Sequence, residues 1–176
     1  MDLLTLAAFC GPLVDPALTL RVIAVESAGH AYAIHDNTSG VSYDSATAAG
    51  AEGIANLLLK AGHRIDLGLM QISYDAWLRP TGFSVVSALD PCTNIRLGTT
   101  LLSANYAHAL KRPGTSVEAL ARALSEYNSG SQTRSWSYAV RVLTGRPAPN
   151  SLRIEGPRRT PSVAINSNSV IDAHPR

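Results

Sequence analysis

The sequence predicts a compact, mainly α-helical domain with little strand over residues 1–145, followed by a flexible tail over 146–176. Three observations carry this. Cap-plus-proline helix starts recur at Asp15-Pro16 and Asp90-Pro91. Apolar residues between such starts and the following glycines fall at helical spacing. From Arg146 onward, prolines, Ser/Asn pairs and scattered arginines replace any periodic pattern. A chain of 176 residues with 45% hydrophobic and 16% charged residues can bury a core as one domain.

The elements follow in order. The opening MDLLTLAAFCG is apolar but carries Asp2 and has no Lys or Arg before Arg21. It therefore lacks the positive leader of a secretory signal and reads as a remnant of one or as the first turns of the fold. Phe9 before Cys10 also argues against a lipoprotein site, where a small residue is expected. A helix over 16–28 places Leu18, Val22 and Val25 on one face and stops at Gly29. The segment HDNTSGVSYDS reads as a polar loop, and a second helix runs from about Ala46 to Ala61 before Gly62. Residues 66–73, DLGLMQIS, read as a short strand or loop entering a helical turn at Tyr74–Leu78. A helix then runs from Asp90-Pro91 to about Arg112. A shorter one, capped by Ser116, reaches about Glu126 and is broken by Tyr127-Asn128-Ser129-Gly130. A last helix covers about Arg134–Thr144.

Charge narrows the function classes. Residues 146–176 contain five arginines against Glu155 and Asp172, so the overall +2 leaves the body near neutral. A near-neutral body lacks the clustered cations of a nucleic-acid surface, and a neutral or weakly charged substrate such as a glycan suits it better. No apolar run approaches the roughly 18 residues of a membrane span. His30, His35, His63, His108 and His174 form no ligand pattern with the cysteines, so no metal and no cofactor are expected. Cys10 and Cys92 read as two buried thiols or, in an oxidising compartment, as a bridge from the first helix to a central one.

Glu26 is the residue out of place. It lies on the apolar side of its helix and in the last turn, where the negative end of the dipole disfavours a carboxylate. Burial and dipole both raise the pKa, and a carboxyl that keeps its proton near neutrality is what a general acid requires. On its own, a glutamate at a helix edge is more often a solvated charge.

The context changes that reading. Glu26-Ser27 closes a helix and Gly68-Leu69-Met70-Gln71-Ile72 follows about forty residues later. Cys92-Thr93-Asn94-Ile95 comes next with Gly98 in a helix, then Leu124-Ser125-Glu126-Tyr127-Asn128-Ser129-Gly130, then Tyr138. In that order, over roughly residues 8–145, the sequence resembles the soluble lytic transglycosylase (goose-lysozyme-like) family. It is most similar to the branch that accompanies type IV secretion and conjugative transfer.

The resemblance implies an α+β lysozyme-like fold and cleavage of the β-1,4 bond between N-acetylmuramic acid and N-acetylglucosamine, with Glu26 as the catalytic group. It implies that Glu26 first protonates the glycosidic oxygen, then takes the proton of the muramic-acid 6-hydroxyl as that oxygen closes onto the anomeric carbon. One carboxyl then suffices, whereas ordinary glycosidases need a second about 5 Å or about 6.5–9.5 Å away. Asp36, Asp44 and Asp66 are the rivals for a partner role, although loop aspartates are mostly caps and turn formers.

The other site residues follow from the same resemblance. Ser27 would bond the carboxylate or the substrate, or else only the helix backbone. Gly68, Leu69, Met70 and Gln71 would line the cleft: Gly68 by close backbone approach, Met70 as a pliable floor unless it is core, Gln71 by bonding a glycan amide. Asn94 reads as structural and Gly98 as a helix-packing contact. Tyr127 and Asn128 would sit near the sugar, and the Tyr138 hydroxyl would orient Glu26, unless the tyrosines are core residues. Implied partners are peptidoglycan glycan strands and components of a secretion or conjugation channel, in the periplasm or otherwise exported. Two other readings remain: a muramidase hydrolase on the same fold, and a non-catalytic wall-binding assembly factor.

Overall fold

The computed structural model describes residues 2–145. The tail expected from Arg146 onward and His174 lie outside the described residues. The chain begins with α1 (Leu3–Cys10), whose N-terminus is capped by Asp2 accepting from Thr5 N at 2.9 Å. Leu3, Ala7 and Cys10 are buried, so the apolar opening supplies the first turns of the folded body. Next, α2 (Pro16–Glu26) starts as the sequence predicts. The Asp15 carboxylate accepts from Ala17 N and Leu18 N at 2.9 and 3.1 Å, and proline occupies the first helical turn.

The segment expected as a polar loop is a β-hairpin, β1 (Ala33–Asp36) and β2 (Val41–Asp44). Its turn is built on Asp36. The carbonyl of Asp36 accepts from Gly40 N at 2.7 Å, while its carboxylate accepts from Thr38 N at 2.9 Å and from the Ser39 hydroxyl. Side-chain bonds of this kind make the turn, and the flanking strands are too short and polar to advertise themselves by alternation. After α3 (Ala48–Lys60), capped by Thr47, come β3 (Ile65–Leu67) and β4 (Ile72–Ser73). They complete an antiparallel sheet of order β2-β1-β3-β4, with Ile34 opposite Leu67 and Leu67 opposite Ile72.

A π-helical turn at Tyr74–Leu78 runs into the single turn α4 (Arg79–Thr81), then α5 (Val85–Leu89), which the sequence reading missed because it spans little more than one turn. The long α6 (Pro91–Ala109) is the hub. Asn94, Ile95, Gly98, Thr99 and Leu102 recur at helical spacing and are buried against α1, α5, β4 and α7 (Ser116–Ser129). It ends three residues short of the expected Arg112. The cap of α7 is Thr115 rather than Ser116, in a capping box with Glu118, and the helix continues through Tyr127 and Asn128 to a left-handed Gly130.

The last helix, α8 (Trp136–Thr144), packs on α7 and α2. Because α2 is enclosed by α1 and α8, its buried residues are Thr19, Leu20, Val22 and Ile23, with Leu18 and Val25 on the flanks. Cys10 and Cys92 form a disulfide, Cα–Cα 5.2 Å, tying the end of α1 to the start of α6. Closing a loop of 82 residues constrains the unfolded chain by an amount worth about 2–4 kcal/mol.

Candidate active site

Glu26 is the last residue of α2, at its negative end. The antiparallel neighbour α8 fixes it. At one end Arg21 Nη1 donates to the Leu143 carbonyl at 2.6 Å, and at the other the Tyr138 hydroxyl donates to Glu26 Oε1 at 2.5 Å. Tyr138 is 2% exposed, so its ring is core and only its hydroxyl reaches the carboxyl. Burial pushes the Glu26 pKa up to about 7; the Tyr138 bond opposes this, Asp66 adds to it, and Arg141 weakly opposes it.

Facing Glu26 is the turn Gly68–Gln71 between β3 and β4. The Ser27 hydroxyl donates to the Leu69 carbonyl at 2.8 Å and accepts from Gly29 N at 3.3 Å. With a further bond to the Ile23 carbonyl at 3.3 Å, it ties the end of α2 to the turn through backbone groups, the backbone alternative the sequence left open for Ser27. Asn94, fully buried on α6, clamps the same turn. Its Oδ1 accepts from Met70 N at 2.7 Å, and its Nδ2 donates to the carbonyls of Leu67 and Ala88, both at 2.8 Å.

Gly68 is required by that clamp. It has φ +77°, and an added Cβ would lie 2.4 Å from Asn94 Nδ2. Close approach to Asn94, not to a sugar, explains the glycine. Leu69 and Met70 are 0% exposed, and Met70 packs where Gly98 leaves room, since a Cβ there would lie 2.5 Å from the Met70 sulfur. Their side chains belong to the core, the reading the sequence favoured for Met70 taken alone, and it is not their side chains that line the cleft.

Gln71 is the member of the turn that reaches the cleft. Its backbone is held at φ +50°, and its Nε2 donates to the Gly68 carbonyl at 2.8 Å and the Ala33 carbonyl at 3.3 Å. The amide nitrogen is thus engaged by backbone. The Tyr127 hydroxyl donates to the Met70 carbonyl at 2.8 Å, so this tyrosine also braces the turn while its side chain lines the cleft. Burial, with Glu26 and Asp66 nearby, raises the Tyr127 pKa well above the ordinary phenol value, which keeps the hydroxyl a donor.

These groups border a cleft of about 390 Å³ that contains Glu26, Asp66, Gln71, Tyr127 and Asn128. Asn128 Oδ1 accepts from the Ser135 hydroxyl at 2.9 Å. Ile72, beside Gln71, and Asn37, Arg64, Ser73, Trp77, Leu101 and Ser129 complete the wall. Sequence reasoning missed Asn37, Arg64, Ser73, Trp77, Leu101 and Ser129 as lining residues: the first five come from the hairpin turn, the entry to β3, the end of β4, the π-helical turn and the middle of α6, outside the quoted motifs, and Ser129 closes α7 inside the Leu124–Gly130 motif but was given no role of its own. An apolar groove of about 330 Å³ between Leu13, Leu18, Leu102 and Leu120 has, among the described residues, Asp15 as its only carboxylate, and that one caps α2.

The rival carboxylates separate clearly. Asp36 is 0% exposed, and burial alone would raise its pKa. Bonds from Ser39, from His63 Nδ1 at 2.7 Å and from Thr38 N outweigh that and lower it to about 2. Asp36 is a structural group away from the cleft wall. Asp44 lies 3.9 Å from His30 and is likewise not among the residues lining the cleft. Asp66 does line it. Burial raises its pKa against bonds from Asn37 Nδ2, at 2.8 Å, and Ser73, and against the charges of His35 and Arg64. Among the described residues no group of three or more His, Cys, Asp or Glu could hold a metal ion, and no helix is long and apolar enough to cross a membrane.

Comparison with known proteins matches residues 5–141 to the transglycosylase SLT domain model. Protein virB1 of Agrobacterium fabrum is 33% identical over 137 residues, covering 77% of this chain and 55% of that protein. The type IV secretion system protein virB1 of Brucella abortus is 29% identical over 196 residues, covering 98% of this chain and 82% of that protein. The type IV secretion system protein virB1 of Brucella suis is 32% identical over 132 residues, 74% of this chain and 55% of that protein. The chain thus spans about half the length of the Agrobacterium fabrum relative it matches. No solved structure matches it. With a mainly helical body, a small antiparallel sheet and a family match over nearly all the described residues, the chain belongs to the transglycosylase SLT domain family.

Proposed function

We propose that this chain is a peptidoglycan lytic transglycosylase that cleaves the β-1,4 bond between N-acetylmuramic acid and N-acetylglucosamine and leaves a 1,6-anhydro-muramic end. The observation that carries the proposal is Glu26 itself, a carboxyl with a pKa raised to about 7, held by Tyr138 inside a cleft. A group titrating near neutrality can serve as acid and then as base in one cycle.

The step balances without water. The Glu26 proton passes to the glycosidic oxygen as its bond to the anomeric carbon breaks. The sugar's own acetamido group stabilises the positive anomeric carbon, so no second carboxylate is demanded. The 6-hydroxyl oxygen then bonds the anomeric carbon and its proton returns to Glu26. Gln71 and Asn128 would bond the glycan at the cleft wall, Tyr127 would hold the Gly68–Gln71 turn in place, and Tyr138 would aim the carboxyl. Type IV secretion proteins among the relatives support a place for the enzyme in opening the cell wall for a secretion or conjugation apparatus, in the periplasm.

One observation favours a second reading: Asp66 shares the cleft, so a hydrolase using two carboxylates is the rival. The proposal is tested with purified sacculi. Wild-type protein should release soluble muropeptides and Glu26→Gln should not, with both proteins equally folded by circular dichroism. Release by the variant at the wild-type rate would remove the basis of the assignment.

A further inference from the structure

The cleft does not end at Glu26. A second cavity of about 430 Å³, lined by Asn37, Arg64, Ser73, Asp75 and Ala76, shares Asn37, Arg64 and Ser73 with it, so the two adjoin along that wall. The charged groups in the second cavity are Arg64 and Asp75. Asp75 is paired with Arg79 at 3.2 Å. On the Glu26 side, Asp66 is hydrogen-bonded to Asn37, with the His35 ring and the Arg64 guanidinium within electrostatic reach. Among the described residues no carboxylate lies within 4.0 Å of the Arg64 guanidinium. Arg64 thus stands in the shared wall of a neutral-to-acidic groove with Asp66 within its electrostatic reach but, among the described residues, in no close ion pair.

The backbone beneath it is built to hold it there. Arg64 N donates to Thr38 Oγ1 at 3.0 Å, and the Arg64 carbonyl accepts from Asn37 N at 2.8 Å. His63, one residue earlier, pairs with Asp36 at 2.7 Å, and Ile65, one residue later, is fully buried. The Asp36 cluster plays no part in the acid–base chemistry. Its effect is to lock the Asn37–Thr38 turn against the Arg64 strand.

We infer that this cavity is a carboxylate subsite, with Arg64 reading an acidic group carried by the glycan next to the bond that Glu26 breaks. The inference rests on the proposed glycan-cleaving function and names which substituent that function recognises. A guanidinium presents a planar fork of donors that matches a carboxylate. Muramic acid is the sugar of the pair that carries one: its lactyl group ends in a carboxyl, either free or extended by a peptide with acidic residues. Both sources offer the same chemistry to Arg64. Specificity for strands bearing that group over plain chitin-like glycan would follow.

The test compares wild type, Arg64→Ala and Arg64→Lys on three purified glycan strands. These are peptide-bearing strands, strands treated with an amidase so that only lactyl carboxylates remain, and peptide-bearing strands with every carboxyl converted to an amide. Arg64→Ala should raise KM about three- to tenfold on peptide-bearing strands, on amidase-treated strands or on both, according to which carboxylate it reads, with kcat changed by less than about twofold, the scale of one exposed charge-assisted pair. Arg64→Lys should recover part of the loss, and on amidated strands all three proteins should be equal. A KM loss confined to amidase-treated strands assigns the free lactyl carboxylate; one confined to peptide-bearing strands assigns the peptide; one on both means that Arg64 accepts either carboxylate. Equal KM values for wild type and Arg64→Ala on both peptide-bearing and amidase-treated strands, or an undiminished loss on amidated ones, would overturn the subsite alone. Failure of wild type to cleave any strand would overturn the parent reading as well.

Discussion

The Tyr138 hydroxyl sits 2.5 Å from Glu26 Oε1, across the interface of two antiparallel helices whose other end is pinned by Arg21 and the Leu143 carbonyl. A buried ring thus delivers one polar atom to a carboxyl at a helix terminus. Tyr138→Phe keeps the ring and removes the bond. We expect kcat to fall about tenfold, the worth of a hydrogen bond to a charged group at roughly 1.5 kcal/mol, with little change in melting temperature. The bond lowers the Glu26 pKa, so its loss should also move the alkaline limb of the pH profile upward. A collapse in melting temperature with an unmoved limb would make Tyr138 structural only.

Asp66 acts on Glu26 in the opposite sense, since its negative charge raises the Glu26 pKa. The first chemical step needs Glu26 protonated, so kcat/KM should decline as pH rises through about 7. In Asp66→Asn that decline should begin at lower pH while most of the activity at the optimum remains. Complete loss at every pH would identify Asp66 as a second catalytic carboxylate and favour the hydrolase.

Glu26 also leaves a mark on stability. Its folded pKa is raised from 4.5 to about 7, so the folded state holds the proton more tightly than the unfolded state. Stability from this group is complete below about pH 4.5 and is lost progressively as pH rises through about 7. Glu26→Gln should therefore melt higher than wild type at pH 8, by about 2–4 °C for each kcal/mol recovered, and close to wild type at pH 4. Differential scanning fluorimetry at the two pH values checks the sign, and a variant less stable at pH 8 would contradict it.

Asn94 and Gly68 form one device, a side-chain clamp and the backbone position that admits it. Asn94→Ala leaves Met70 N–H and two carbonyls without their partner, and should destabilise the fold by about 2–4 kcal/mol. Gly68→Ala should destabilise by a comparable about 1–3 kcal/mol through its positive φ and the collision with Asn94. Since both act on the same turn, the double variant should lose less than the sum of the single losses in urea titration. Strict additivity would mean that the two residues act independently.

Much of this architecture is legible in the residues because it follows local rules. Asp15-Pro16 and Asp90-Pro91 mark the starts of α2 and α6 by cap chemistry alone, and Glu26 betrays itself as an acid on an apolar face. The hairpin around Asp36 was hidden because a buried carboxylate, two hydroxyls and a histidine make its turn, while the strands have only four residues each. The GLMQ motif was legible as a unit but not in its parts. Gly68, Leu69 and Met70 face Asn94 and the core, and only Gln71 reaches the cleft, a division that depends on where α6 lies and on no local pattern. Arg64 and Trp77 carry no sequence signal, because distant segments bring them to the same wall.

The chemistry itself is tested most directly by mass spectrometry of the muropeptides released from purified sacculi by wild type beside Glu26→Gln. The account predicts products one water lighter than hydrolysed muropeptides, with no reducible muramic end, and none from the variant. Fully hydrated reducing ends from the wild type, or the same anhydro products from a protein lacking the Glu26 carboxyl, would contradict it.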